Sequence, residues 1–136
     1  MKWLEPFSDS AYALLRIVAG SMFSLHGMQK ILGVLTTFQP DPFTQLWFGG
    51  IIELVGGLLI LLGLGTRLAA FICSGQMAVA YLQFHWKLQF GAEFFPVVNK
   101  GELALLYSFV FLFIATRGGV KWCLDKTSKR AKTATG

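Results

Sequence analysis

The chain has 136 residues, 54% of them hydrophobic and only 14% charged, with a net charge of +5. A soluble domain usually carries about 25% charged residues, so the composition argues against one. It also leaves no need for nucleic acid to explain the positive charge.

The apolar residues fall into four blocks, and a helix of roughly 17–25 apolar residues crosses a bilayer. After an interfacial segment, residues 1–10, the first block runs from Ala11 to Leu35. It is too long for a cleavable signal peptide, and it carries Arg16, His26 and Lys30. Arg16 lies near one end, where a long side chain is expected to snorkel to the surface. The joint "TTFQPDPFTQ" follows, apolar for a loop because of Phe38 and Phe43.

The second block, Leu46 to Leu64, carries Glu53 between Gly49 and Gly57. Small residues at intervals of four, like Gly20 and Ser24 in the first block, let helix backbones approach closely in lipid. Gly65, Thr66 and Arg67 then make a tight hairpin into the third block, Leu68 to Trp86, which holds Cys73, Gln76 and His85. Gln76 and His85 are nine residues apart, about half a turn out of phase, so a regular helix cannot turn both to one pocket. The second aromatic joint, "KLQFGAEFFPVVN", is expected either to anchor at the interface or to lie over a pocket. The last block, Gly101 to Thr116, opens with "NKGE", where Asn99 and Glu102 have capping-box spacing. Residues 119–136 are expected to be a basic, flexible tail.

These readings combine into an integral membrane four-helix bundle, all-α, with one domain over residues 11–118. Trp3, Trp47, Trp86 and Trp122 each fall at a predicted membrane boundary, where an apolar ring with a polar N–H is favoured. Lys2, Arg67, Arg117, Lys121, Lys126, Lys129, Arg130 and Lys132 fall on one side; the other has Lys87 and Lys100, offset by Asp41 and Glu93. The positive-inside rule then places both termini in the cytoplasm. Cys73 and Cys123 form no C-x-x-C pair and read as small apolar fillers.

Charges inside a membrane are costly and normally point inward and pair. From a rise of about 1.5 Å per residue, Lys30 lies about 8 Å, Glu53 about 10 Å and His26 about 14 Å below the outer surface. Gln76 reaches roughly the level of His26, while His85, Lys100 and Glu102 sit near the surface. His26 and Lys30, at i and i+4, are expected to share the face that meets Glu53. The bland alternatives are a Lys30–Glu53 pair that only sets helix register, and a Glu102 that only caps a helix. Haem ligation by His26 and His85 is disfavoured by a depth mismatch of roughly 12 Å, and no metal-ligand spacing is present.

The order "LLRIVAG…FSLHGMQKI", "GGIIELVGGLLILLGLGTRLAA", "MAVAY…H" and "NKGELALLYSFVFLFIA" resembles the DoxX family of small bacterial inner-membrane proteins. The motif residues are His26, Gly27 and Lys30; Glu53, Gly56, Gly57, Gly63, Thr66 and Arg67; and Asn99, Lys100, Gly101 and Glu102. The resemblance implies a four-helix membrane bundle. It also implies an association with thiosulfate:quinone or quinol oxidoreductases, or with a membrane oxidative-stress assembly.

The leading expectation is a redox-associated subunit of the bacterial inner membrane, binding a quinone or a similar amphipathic molecule in the outer half. His26, Lys30 and Glu53 are the candidate reactive groups, with Gln76, His85, Lys100 and Glu102 as further ligand contacts. In this scheme His26 exchanges a proton, imidazole titrating near neutral pH, Lys30 favours a reduced anion and Glu53 balances its charge. Expected partners are the lipid bilayer, oxidoreductase subunits and a second copy of the chain. A non-catalytic assembly partner and, less favoured, a small-molecule or lipid transporter remain the other two classes.

Overall fold

A computed structural model describes residues 1–125. They are all-helical, with no strand among the described residues. A 3-10 turn, Glu5–Phe7, leads into α1 (Ser8–Leu32), followed by α2 (Gln45–Leu62) and α3 (Thr66–Ala80). A π-helical turn, Tyr81–Trp86, continues α3; a second 3-10 turn, the short α4 (Pro96–Asn99) and α5 (Glu102–Arg117) complete the chain. The four long helices match the four apolar blocks.

Local chemistry sets the boundaries. α1 stops at Leu32, short of the expected Leu35, because Gly33 turns left-handed at φ 68° and its N–H bonds the Gln29 carbonyl. Thr44 opens α2 by accepting the Trp47 N–H through its side chain. Gly63, also at φ 68°, closes it, while the Leu64 N–H reaches back to the Leu59 carbonyl at 2.9 Å.

Two glycine pairs let α2 lie between two neighbours. A Cβ on Gly50 would meet the Lys30 stem at 2.8 Å, and one on Gly57 would meet the α1 backbone at Ser24. The other glycine of each pair faces α3: Gly49 lies against Gln76 and Gly56 against Cys73. Gly20 and Gly27 complete the α1 side, where a Cβ would strike the backbone of Leu61 and Leu54. α3 packs in turn on α5, with the Ser74 hydroxyl donating to the Ser108 carbonyl at 2.7 Å. Phe23, Ile60, Tyr107, Phe111 and Ile114 fill the shared core.

The outward faces are apolar as well. Leu14, Val18, Val55, Leu58, Phe71, Ile72, Leu106 and Phe109 are all exposed. α2 is long and apolar enough to cross a membrane, with a mean hydropathy of 1.9 over 18 residues.

Two expectations change at the end where α1 begins. Arg16 does not snorkel: it is fully buried, and its guanidinium donates to the carbonyls of Ile60, Leu61, Lys121 and Trp122. The last carbonyls of α2 have no intrahelical partner, so a buried cation answers them. Residues 119–125, expected to be flexible, are tied to this end. Leu124 and Asp125 donate their N–H groups to the carbonyls of Leu62 and Gly63. The Asp125 carboxylate accepts from the N–H groups of Gly65 and Thr66 and from the Thr66 hydroxyl. The rest of the expected basic tail, 126–136, lies outside the described residues.

Candidate functional site

Lys30, Glu53 and Gln76 meet from three helices. The Lys30 ammonium donates to Glu53 Oε1 at 2.6 Å, and the Gln76 amide donates to the same oxygen and to the Gly49 carbonyl, both at 3.1 Å. Glu53 is only 4% exposed. Its pairing with Lys30 removes the largest cost of burying a carboxylate. Gly49 is what admits Gln76 here, since a Cβ at that position would press on the amide nitrogen.

The pairing is incomplete. Glu53 Oε2 and Gln76 Oε1 are buried and have no hydrogen-bond partner among the described residues. Both residues line a cavity of about 510 Å³ between α2 and α3. Its other walls are mainly apolar, with Leu46, Phe48, Ile52, Ile72, Met77 and Phe84 among them. A buried polar atom without a partner costs free energy, and buried polar groups normally have one. An apolar cavity with a few convergent polar groups is the usual form of a small-molecule site.

His85 lines the same cavity as Gln76, contrary to the half-turn argument. The π-helical turn is the reason. The Lys87 N–H bonds the Leu82 carbonyl, five residues back, and this wider turn rotates His85 relative to an unbroken α-helix. His85 Nδ1 lies 3.3 Å from the Asn99 carbonyl oxygen. A carbonyl only accepts, so Nδ1 carries the proton and Nε2 is the acceptor of the neutral ring. At the rim, Gln45 donates to Gln83 at 2.5 Å, joining α2 to the π-turn. Neither glutamine was singled out from the sequence, because both lie at helix boundaries.

The remaining candidates lie elsewhere. His26 is exposed on the outer side of α1 and does not line the cavity. A spacing of four overshoots a helical turn by about 40°, and Gly27 occupies the inward position against Leu54. His26 is therefore not brought to the cavity that His85 lines. Lys100 and Glu102 are exposed and outside the cavity. The capping box does not form: Gly101 is the N-cap of α5, and Asn99 Oδ1 accepts the Gly101 N–H. Asn99 also donates to the Glu93 carbonyl and to the Tyr81 hydroxyl, holding the second joint to the π-turn. The loop phenylalanines do not cover the cavity. Phe90 and Phe94 pack edge-on against Trp86 and remain exposed.

The DoxX family model matches residues 11–86, more than half the chain and the whole lining of the cavity. The chain belongs to the DoxX family. An "Uncharacterized protein" of Haemophilus influenzae is 44% identical over 131 residues, covering 92% of this chain and 96% of its own. The "Putative oxidoreductase CatD" of Bacillus subtilis is 32% identical over 117 residues, 82% of each chain. No solved structure gives a significant match.

Proposed function

We propose that this DoxX protein is a redox-associated subunit of the bacterial inner membrane that holds a quinone, or a similar small amphipathic molecule, between α2 and α3. The observation that carries the reading is Glu53: buried, paired through one oxygen and without a partner at the other among the described residues, on an apolar cavity of about 510 Å³. The oxidoreductase name of the Bacillus relative supports a redox role.

The four long helices cross the bilayer, and both termini face the cytoplasm. Large apolar side chains around the outside favour lipid over water. Supporting the orientation, Asp9 pairs with Arg117, Lys121 donates to Ser10, and Arg67 donates to the last carbonyls of α5. The start of α1, the α2–α3 joint and the end of α5 thus meet at one basic end, as the positive-inside rule requires of a cytoplasmic face.

Within the groove the apolar walls take the ring and tail of the ligand. Lys30 and Glu53 face its oxygens, and Gln76 keeps the carboxylate in place. The proton-exchanging imidazole is His85, whose ring reaches the groove, in place of His26. An oxidoreductase partner subunit supplies or removes the electrons.

The test is titration of the purified protein in lipid nanodiscs with a short-tailed quinone, read by tryptophan fluorescence. Saturable binding, weakened about tenfold or more in Glu53→Ala and unaffected in His26→Ala, is the expected result; a tenfold loss is one interaction of about 1.4 kcal/mol. Signal that only follows partitioning into the lipid, identical in all three proteins, would sink the reading and favour a non-catalytic assembly partner.

A further inference from the structure

The hydrogen-bonding capacity of the groove is lopsided. Gln76 uses both of its amide N–H groups, one on the Gly49 carbonyl and one on Glu53 Oε1. Both partners only accept, so the amide must present its nitrogen to them and its oxygen elsewhere. That oxygen has no partner among the described residues, and neither has Glu53 Oε2. In its neutral form the His85 ring adds a third acceptor, because Nδ1 faces the Asn99 carbonyl and leaves Nε2 with a lone pair. Against these three acceptors the buried part of the groove sets the two N–H bonds of Lys30 not engaged with Glu53; Gln45, exposed at the rim and bonded to Gln83 through one N–H, adds one donor and one acceptor that water can reach.

A quinone carries only acceptors at its polar positions. It could bond Lys30, but it would leave Glu53 Oε2 and Gln76 Oε1 without partners. A hydroquinone carries two O–H donors whose oxygens still accept. One hydroxyl can donate to the buried carboxylate and accept from Lys30, and the other can donate to His85 Nε2 or to the Gln76 oxygen. Hydrogen bonds to a charged acceptor are the stronger ones, and an analogue lacking the required donor is penalised because the site's polar atoms are left unpaired.

We infer that the groove is built for the reduced, hydroxyl-bearing form of its ligand, an aromatic diol with an apolar tail, and discriminates against the oxidised dione. Glu53 and Gln76 are the specificity-determining residues. This rests on the quinone-class reading above and adds which redox form the site selects. The selection is one of binding alone and requires no electron transfer within this chain.

Three probes separate the possibilities under anaerobic conditions on the full-length protein in nanodiscs: a decyl-substituted 1,4-hydroquinone, its 1,4-benzoquinone and its 1,4-dimethyl ether. The hydroquinone is expected to bind at least about tenfold tighter than either of the others. The wild-type protein alone decides this, so the result does not depend on how any variant folds. In Glu53→Gln the preference should shrink, because one carboxylate oxygen becomes an N–H donor that suits the dione. Equal or tighter binding of the quinone overturns the inference and leaves the quinone-class reading standing. So does equal binding of the dimethyl ether, which would show the acceptors satisfied by water instead. Absence of saturable binding by all three removes that reading and the inference with it.

Discussion

The two ends of this helical bundle each turn a cation inward, and they treat it in opposite ways. At the end where α1 begins, Arg16 is sealed among four backbone carbonyls, and residues 118–125 close over it. At the other, Lys30 remains 30% exposed along its side chain and faces a carboxylate with an unpartnered oxygen beside an apolar cavity. A cation surrounded by carbonyls completes the fold, whereas acceptors left over at a cavity invite a ligand. Each end also leaves a buried polar atom without a partner among the described residues, Arg16 Nε at the first and Glu53 Oε2 and Gln76 Oε1 at the second; what separates the two ends is that the latter atoms belong to residues lining a cavity.

The sharpest way to break this comparison is Arg16→Met. It takes the guanidinium away from the carbonyls of Ile60, Leu61, Lys121 and Trp122, with Ile60 keeping the Gly63 N–H, and a loss of about 3 kcal/mol or more is expected. Thermal unfolding in detergent measures the loss, and faster maleimide labelling of Cys123 reports release of the segment that packs there. A variant as stable as the parent would show that Arg16 is no keystone.

The opposite experiment at the cavity end is Lys30→Met with Glu53→Leu. Replacing an ion pair by apolar groups of similar volume is often neutral or stabilising, by about 1–4 kcal/mol. Unfolding should therefore be unchanged or raised while ligand binding is lost. A large fall in stability would make this cluster a structural pair like its counterpart.

The smallest effect concerns Asp125. Burial disfavours its charged form, but hydrogen bonds from the Thr66 side chain, the Thr66 N–H and the Gly65 N–H outweigh this, with Arg16 assisting, and hold its carboxyl below the ordinary carboxylate range. A depressed value in the folded state means that the contribution is fully present above the ordinary carboxylate range. It fades as pH falls through the lowered one. Between pH 5 and 8 the clasp should be insensitive to pH, and the amide resonances of Gly65 and Thr66 should move only in stronger acid. Asp125→Asn should shift both resonances at neutral pH; resonances unmoved by the change would dissolve the clasp.

Part of the site was legible before any coordinates. Helix rise alone set Lys30 and Glu53 at matching depth, with Gln76 deeper at roughly the level of His26, and those three side chains do meet. Angular position was harder to read: the i, i+4 rule drew His26 inward with Lys30, but Gly27 occupies the helix contact and leaves the imidazole outside. Gln76 and His85 were separated by assuming an unbroken α-helix, and the π-turn removes that assumption. Arg16 looked like a surface anchor because its partners are backbone carbonyls, which every residue has and no motif displays.

The sequence by itself determined the number, length and order of the long helices, through the spacing of apolar blocks and the glycines that end or thin them. It also determined which ionisable groups would share a level, since depth along a helix is a count of residues. Only the tertiary structure decided which groups turn inward, because rotation about the axis depends on which small residue the neighbouring helix selects. It alone decided which polar atoms remain without partners, since satisfaction belongs to contacts between helices rather than to any one segment.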